Sequence, residues 1–305
     1  MKLAMLFPGY GSQHVGMGKD LYDEYPVVKK YIDEASDYLG IDFNKLLFSS
    51  SPQELLPVSN AYLALYVLSC AIHGMLQKHG VKPTYVAGYD TGQYAAIHAA
   101  GGISFKEGLD LVRAYANLYN KLLQHGRYDI LKVNGLTTTK LSEFMDKDVA
   151  IASHLSRTQH LVSGTVEGIE ILKQKINNAS GVTLYEEGIG LGLNSHLMDP
   201  LIKDFYLHLS HINFNDLQVP LISNVNGSEI TNASQLKQEI ISLINSTIRW
   251  DKVADKLSHV DIVVGMGPQT NLLDWIKEKH PNKNIFTISD ATDSQKLKEL
   301  MATIE

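Results

Sequence analysis

The stretch Val86-Ala87-Gly88-Tyr89-Asp90-Thr91-Gly92-Gln93-Tyr94-Ala95-Ala96 decides the fold. An apolar, β-prone run reaches Gly88 and a helix-prone run begins at Gln93, so the chain turns from strand to helix within about four residues. Such a turn, with a glycine on each side, is the geometry of a nucleophile elbow. The spacing Gly88-x-Asp90-x-Gly92 fits G-x-S-x-G, except that aspartate replaces serine. Ordinary strand-to-helix turns share this spacing, so the surrounding sequence decides between the two interpretations.

Composition places the chain among ordinary globular proteins. Its 305 residues, 44% of them hydrophobic and 20% charged, are enough for one large domain with a smaller insert. The net charge of -6 argues against nucleic-acid binding and provides no polybasic patch for a membrane surface. The single cysteine, Cys70, is predicted to be core filler. The opening apolar run is too short for a signal sequence and no run approaches a membrane span, so we expect a cytoplasmic protein.

Strand and helix patterns alternate around the elbow. The glycine-rich turn Pro8-Gly9-Tyr10-Gly11 follows the first strand pattern, and Ser104 with Glu107 predicts a capping box at the start of a later helix. Strands are predicted over 2–7, 85–87, 220–224, 260–264 and 284–288, and helical patterns over 20–47, 57–79, 93 onward, 104–124, 233–245 and 247 onward. This alternation favours an α/β fold, in which a large α/β-hydrolase-like domain contains a parallel sheet with sites at the strand carboxyl ends.

The character of the sequence changes after His125-Gly126-Arg127. Between residues 130 and 186 the predicted elements follow the order βαββαβ, which is the ferredoxin-like split unit. We therefore predict a small inserted ferredoxin-like subdomain over residues 127–186. The large domain is then formed by residues 1–126 and 187–305.

The chain returns to the large domain through the glycine run of residues 188–193. This run has no third glycine that opens a helix and no acidic residue at the distance that a dinucleotide site requires. His196 follows, after a loop and before a helix, where a polar side chain can face a cleft. His208 and His211 are three residues apart, but no cysteine or acidic set with ligand spacing accompanies them, so no metal site is predicted.

Taken in order, these motifs resemble those of the malonyl-CoA:acyl-carrier-protein transacylases and the related acyltransferase domains of polyketide synthases. The family opening Phe-Pro-Gly-Gln-Gly-Ser-Gln is matched by residues 7–13, with Tyr10 in place of glutamine. The family elbow Gly-His-Ser-x-Gly-Glu-Tyr is matched by residues 88–94, with departures at Tyr89, Asp90 and Gln93. A Ser-His segment, an Arg-Trp segment and a Gly-Pro turn follow in family order at 195–198, 248–250 and 267–269.

The resemblance implies specific roles in acyl transfer from a coenzyme A thioester to the phosphopantetheine thiol of acyl-carrier protein. Asp90 takes the nucleophile position, His196 the base position, and the backbone N–H groups of Tyr10 and Thr91 the oxyanion hole. Tyr115 takes the position of the arginine that pairs with the malonyl carboxylate. Asn60, Leu155 and Arg249 take further substrate-binding positions, the first two departing from a family glutamine and asparagine. The resemblance also implies a monomer of fatty-acid or polyketide biosynthesis, with no metal and no cofactor.

Two of these substitutions change the expected chemistry. With Tyr115 in place of arginine, the malonyl carboxylate lacks its cationic partner, so we do not expect malonyl selectivity. A carboxylate attacks a thioester poorly, because the product is a mixed anhydride, so we do not expect an acyl-enzyme to accumulate at Asp90. An Asp90–His196 ion pair would lower the pKa of the aspartate and favour the imidazolium, which is not a base. Arg113 lies about 200° round the helix from Tyr115 and is predicted to point away from the pocket.

The sequence is compatible with three functions from different classes. The first is a pseudoenzyme that keeps the fold in order to bind acyl-carrier protein or acyl-CoA. The second is an acyl thioester hydrolase, in which Asp90 and His196 orient a water molecule. The third is an acyltransferase that acts on a non-malonyl acyl group by a variant mechanism.

Overall fold

The computed structural model describes residues 1–177, 179–186, 194–268, 272–289, 299–300 and 302. The predicted glycine run over 188–193 and the last residue of the predicted Gly-Pro turn, Gln269, lie outside these ranges. The described residues form two sheets with helices between the strands, which confirms the predicted α/β fold class.

The strands and helices are numbered in chain order. The strands are β1 (Leu3–Phe7), β2 (Tyr85–Gly88), β3 (Tyr128–Asn134), β4 (Val149–His154), β5 (Gln159–Thr165), β6 (Thr183–Glu186), β7 (Leu221–Ile222), β8 (Glu229–Ile230), β9 (Ile248–Arg249), β10 (Ile262–Met266) and β11 (Asn284–Ile288). The helices are α1 (Lys19–Glu24), α2 (Pro26–Leu39), α3 (Phe43–Phe48), α4 (Pro52–Leu55), α5 (Val58–Lys78), α6 (Gly92–Ala99), α7 (Phe105–His125), α8 (Thr138–Ser142), α9 (Val166–Ile176), α10 (Ile202–Leu209), α11 (Ala233–Asn245), α12 (Trp250–Lys256) and α13 (Leu272–Lys279).

The larger sheet has the strand order β11-β10-β1-β2-β7-β8. Strand β1 lies between β10 and β2 and is parallel to both, with Met5 opposite Val264 and Val86. All of β1 is buried, because its side chains enter apolar clusters on both faces of the sheet. Strand β8 pairs antiparallel with β7, so the sheet is not wholly parallel as expected. The connection between β7 and β8 is too short for the crossover that a parallel pair needs.

The smaller sheet has the strand order β6-β3-β5-β4-β9. Its first four strands pair antiparallel, in the arrangement that the predicted βαββαβ unit gives. The predicted helix start at residue 247 is wrong for Ile248 and Arg249, which form β9 and pair parallel with Ser153 and His154. The helix begins only at Trp250. Pairing with a strand about a hundred residues away is not visible in the local sequence.

Local signals fix several of the helices. The helical pattern over 20–47 is divided into three helices, because Pro26 starts α2 and Gly40 ends it in a left-handed conformation with φ 67°. The capping box of Ser104 and Glu107 is present at the start of α7. Helix α11 has the predicted bounds.

Helix α5 has the length and apolar composition of a membrane span, contrary to the expectation from the sequence. Its environment explains this composition, because 89% of its most apolar window is buried inside the fold. It packs against α2, α6 and α7 as a core helix. Cys70 lies within it, fully buried, and burial raises the pKa of its thiol well above the usual range.

Candidate functional site

The elbow predicted from the sequence is present between β2 and α6. Asp90 has φ 52° and is the sole non-glycine residue with positive φ among the described residues. Aspartate is one of the few residue types that tolerate this region. The two glycines are needed because backbones meet here. A Cβ atom on Gly88 would lie 2.0 Å from the carbonyl carbon of Gly92, and a Cβ atom on Gly92 would lie 2.3 Å from the carbonyl oxygen of Phe7.

The glycine-rich loop after β1 lies directly against this elbow. A Cβ atom on Gly9 would lie 2.4 Å from the carbonyl oxygen of Tyr89, so only glycine fits there. The Ser12 hydroxyl donates to the Gly9 carbonyl at 2.9 Å and closes the loop. The Tyr10 hydroxyl donates to the Leu56 carbonyl at 3.0 Å, which ties the loop to the segment before α5. The two glycine motifs of the sequence are thus neighbours in space.

Asp90 is only 4% exposed, and the described groups that hydrogen-bond to its carboxyl group are polar but uncharged. Burial raises the pKa of Asp90 to about 6, and three hydrogen-bond donors oppose that rise: the Thr91 backbone N–H, the Asn194 amide and the Tyr115 hydroxyl. Asn194 Nδ2 lies 3.5 Å from Asp90 Oδ1 and 2.9 Å from the Leu243 carbonyl oxygen. The Thr91 N–H, predicted as an oxyanion-hole donor, therefore faces the carboxylate of the elbow itself.

A layer of buried tyrosines covers Asp90. Tyr115, which was predicted to take the carboxylate-binding position, is fully buried. Its ring centroid lies 5.9 Å from that of Tyr62, 5.7 Å from that of Tyr94 and 5.3 Å from that of Tyr119. Burial raises the pKa of Tyr62, Tyr94 and Tyr115 well above the usual range, and the negative charge of Asp90 adds to the rise. Hydroxyl groups and aromatic rings thus surround the elbow.

The expected ion pair between Asp90 and His196 is wrong. His196 is exposed, and its Nε2 donates to the Lys147 carbonyl oxygen at 3.2 Å, whereas Asp90 is buried. No salt bridge joins the two side chains, both of which the structure describes. The pKa of Asp90 is raised rather than lowered, because burial is the largest effect on it and no cation among the described residues opposes that effect.

Within the described residues, the remaining predicted site residues form no hydrogen bond with Asp90. Asn60 Nδ2 donates to the Glu54 carbonyl at 2.7 Å. Leu155 is buried in the turn after β4. Arg249 forms a two-point ion pair with Asp251, at 2.9 and 2.7 Å. Arg113 is exposed and pairs with Asp110, so the prediction that it points away from Tyr115 is confirmed.

Two site residues were missed by the sequence analysis. Asn194 contacts both Asp90 and the Tyr115 hydroxyl, and its position two residues before His196 was the available signal. Glu239 lies behind the elbow, on the face of α11 that also buries Leu236, Ile240 and Leu243. A charged residue on the apolar face of an amphipathic helix was the signal that could have identified it. Within the described ranges, no group of three or more His, Cys, Asp or Glu side chains is arranged to hold a metal ion.

A family model, a related sequence and a solved structure all match this chain to the same family of proteins. The family model described as acyl transferase domain matches residues 4–264. The chain is 30% identical to the malonyl CoA-acyl carrier protein transacylase of Bacillus subtilis strain 168, over 95% of this chain and 94% of that protein. It is similar to the crystal structure of an acyl carrier protein S-malonyltransferase from Vibrio cholerae, with a TM-score of 0.92 at 26% identity, over 97% of this chain and 100% of that one.

A second solved structure adds a partner to the comparison. It contains a malonyl-transacylase in complex with its type II polyketide-synthase acyl-carrier protein. This chain matches it with a TM-score of 0.90 at 25% identity, over 96% of this chain and 97% of that one. With the family model matching most of its length, the chain belongs to the acyl transferase domain family and is similar to the malonyl-CoA:acyl-carrier-protein transacylases.

Proposed function

We propose that this protein binds acyl-carrier protein or a coenzyme A thioester in fatty-acid or polyketide biosynthesis without forming a covalent acyl-enzyme. One observation carries the proposal: a carboxyl group occupies the elbow, buried and held by Thr91, Tyr115 and Asn194. The protein is then a pseudoenzyme of its family, with Asp90 in the nucleophile position and His196 in the base position.

Elementary chemistry supports this proposal. A serine hydroxyl forms a stable ester with an acyl group, which a thiol then attacks. An aspartate carboxylate forms a mixed anhydride, which is less stable than the thioester from which it is made. The hydrogen bond from the Thr91 N–H to Asp90 further lowers the capacity of the site to stabilise an oxyanion, because the resident carboxylate already occupies this donor.

The acyl group that fits this site is neutral. With Tyr115 at the arginine position, a buried malonate carboxylate would lack its cationic partner, at a cost on the order of 3 kcal/mol or more. Tyr62 and Tyr94 beside it add aromatic surface and hydroxyl groups but no positive charge. We therefore propose that neutral acyl groups are bound in preference to malonyl.

The partner follows from the family comparison. The malonyl-transacylase complex with an acyl-carrier protein supports the same kind of partner for this chain. We propose that it acts as a cytoplasmic monomer, with Asn60, Leu155 and Arg249 along the substrate path. We also propose that residues 127–186 are a separate subdomain, since β3 to β6 all lie within them.

A second candidate function is hydrolysis of the acyl thioester. The observation that favours it is the burial of the Asp90 carboxyl group at the elbow, which raises its pKa to about 6, because a general base works best when its pKa lies near the working pH. The contact of His196 with Lys147 argues against a joint role with Asp90. Transfer of a non-malonyl acyl group by a variant mechanism is the third possibility.

One experiment separates these functions. The purified protein is mixed with acetyl-CoA or malonyl-CoA, with and without holo acyl-carrier protein, and free coenzyme A, free acid and protein mass are followed. We expect binding without coenzyme A release and without added mass on the protein. Release of coenzyme A with free acid would establish a hydrolase. Acylated carrier protein, or an acyl label on residue 90, would overturn the proposal.

The substitution Asp90→Ser tests whether the remaining framework is intact. It should produce detectable self-acylation, more with acetyl-CoA than with malonyl-CoA, because no cation replaces the family arginine. The double variant Asp90→Ser with Tyr115→Arg is the matched control and should shift the preference towards malonyl-CoA. A malonyl preference in Asp90→Ser alone would show that Tyr115 does not occupy the carboxylate-binding position.

A further inference from the structure

A second buried carboxyl group lies behind the elbow. Glu239, on α11, is 5% exposed, and burial raises its pKa above the ordinary glutamate value. A carboxyl group in the interior is unfavourable unless hydrogen-bond donors surround it. The donors that surround Glu239 come from the segment directly after β7 and from the first turn of α6.

Three of these donors lie within 3.1 Å of the carboxyl oxygens of Glu239. The Ser223 hydroxyl lies 2.6 Å from Glu239 Oε2, and the Asn224 backbone N–H lies 2.7 Å from Oε1. The side-chain amide of Gln93 donates to Oε1 at 3.1 Å. The carboxyl group therefore connects the end of β7 with the first turn of α6.

Gln93 links Glu239 to Gly88 at the end of β2. It is fully buried, its Oε1 accepts from the Gly88 backbone N–H at 2.8 Å, and its Nε2 also donates to the Ile222 carbonyl at 3.0 Å. A glutamate at this position would supply no donor to Ile222 or Glu239 and would bring two carboxyl groups into contact. The carboxyl group at 239 thus accounts for the amide at 93, where the family elbow has glutamate.

Asn224 completes the connection from the other side. Its Nδ2 donates to the Gly88 carbonyl oxygen at 2.6 Å, while its backbone N–H is held by Glu239. Both backbone polar groups of Gly88 are therefore fixed by side chains whose own positions depend on Glu239. Gly88 lies two residues before Asp90 and determines where the turn begins.

We infer that Glu239 is a positioning residue, which through Gln93 and Asn224 fixes the elbow backbone and so the placement of the Asp90 side chain. The inference rests on the proposed function only in taking Asp90 as the centre of the site. Its test needs no acyl ligand, so it can fail or succeed separately from the binding proposal.

The experiment compares Glu239→Leu with the conservative variant Glu239→Gln. Leucine removes all acceptors, whereas glutamine keeps an acceptor for Asn224 and Gln93 and lets the Ser223 hydroxyl reverse its role. The titration of Asp90 is followed by carbon-13 NMR of labelled aspartate, with Asp90→Asn for assignment. In Glu239→Leu the Asp90 midpoint should fall by about one pH unit as water reaches a loosened turn, and in Glu239→Gln it should stay unchanged.

A core variant separates positioning from general stability. Leu172→Ala, in the apolar cluster of the smaller sheet, should unfold at a lower denaturant concentration and leave the Asp90 midpoint unchanged. If Glu239→Leu behaves in the same way, with an unchanged Asp90 midpoint, the positioning role is overturned.

A second test remains available if Glu239→Leu does not fold. It uses Gln93→Glu alone and Gln93→Glu combined with Glu239→Gln. Gln93→Glu should unfold at a lower denaturant concentration than the parent, because two carboxyl groups then meet. Adding Glu239→Gln should restore part of the loss, since only one carboxyl group then remains at this contact. Additive effects of the two substitutions would also overturn the inference.

Discussion

In front of the elbow, Asp90 is held by three donors, while several neighbouring polar atoms have no hydrogen-bond partner among the described residues: Thr91 Oγ1, Tyr94 Oη and Asn194 Oδ1. Behind the elbow, Glu239 accepts from Ser223, Asn224 and Gln93, and each of these contacts also orders backbone. Asn224 Oδ1 has no hydrogen-bond partner among the described residues, but its Nδ2 and its backbone N–H are both bonded. Buried polar atoms are normally paired, and unpaired ones concentrate where a site has a function beyond folding. The back of the elbow thus fixes the backbone, and the front is the region in which side chains can change.

The largest expected effect tests whether the backbone of the turn is rigidly packed. Gly88→Ala should prevent folding or destabilise the protein by more than about 4 kcal/mol, because the new Cβ meets backbone atoms that cannot move aside. Gly40→Ala is the control, since it has positive φ but open space around it, and should cost only about 1 kcal/mol. Circular dichroism and denaturant unfolding measure both. A folded Gly88→Ala of near-parent stability would show that the turn is not rigidly packed.

The next prediction concerns the front of the elbow. The pKa of Asp90 is raised by burial to about 6, so its contribution to folding is present at low pH and is lost as pH rises through 6. Asp90→Asn removes this titration, and asparagine also tolerates positive φ. Relative to Asp90→Asn, the parent should therefore lose on the order of 2 kcal/mol of unfolding free energy between pH 4 and pH 8.

Urea unfolding at several pH values measures this difference. Taking the difference between the two proteins cancels the other carboxyl groups, including Glu239, whose pKa is also raised by burial. A difference that does not change with pH would mean that Asp90 is hydrated. If the parent instead gained unfolding free energy relative to Asp90→Asn as pH rises, the pKa of Asp90 would be lowered, as expected for an ion pair with His196.

The parts of the fold that the sequence predicted well are those with local signals. The elbow between β2 and α6 follows from two glycines between a β-prone and a helix-prone run, and the Ser104 capping box is a four-residue pattern. Strands β8 and β9 were not predicted, because each is two residues long and exists only by pairing with a partner elsewhere in the chain.

In the site, the sequence predicted only the residue whose place is fixed by local spacing. Asp90 stands where the elbow spacing places it, and its substitution is visible in the sequence. Its neighbours were not predictable in this way, because Tyr62, Asn194 and Leu243 come from segments far apart in the chain. The exposure of His196 depends on how the residues after 193 pack, and spacing carries no information about that.

The smallest expected effect belongs to His196. Its exposed ring contacts the Lys147 carbonyl and forms no other hydrogen bond within the described ranges, so His196→Ala should change the unfolding free energy by less than about 0.5 kcal/mol at neutral pH. Asn194→Ala is the matched comparison two residues away, and should cost about 2 kcal/mol because it removes buried donors to Asp90 and Leu243. Denaturant unfolding of both variants decides the matter. If His196→Ala were the more destabilised of the two, the histidine would support the front of the elbow, and the division between a rigid back and a changeable front would have to move to include it.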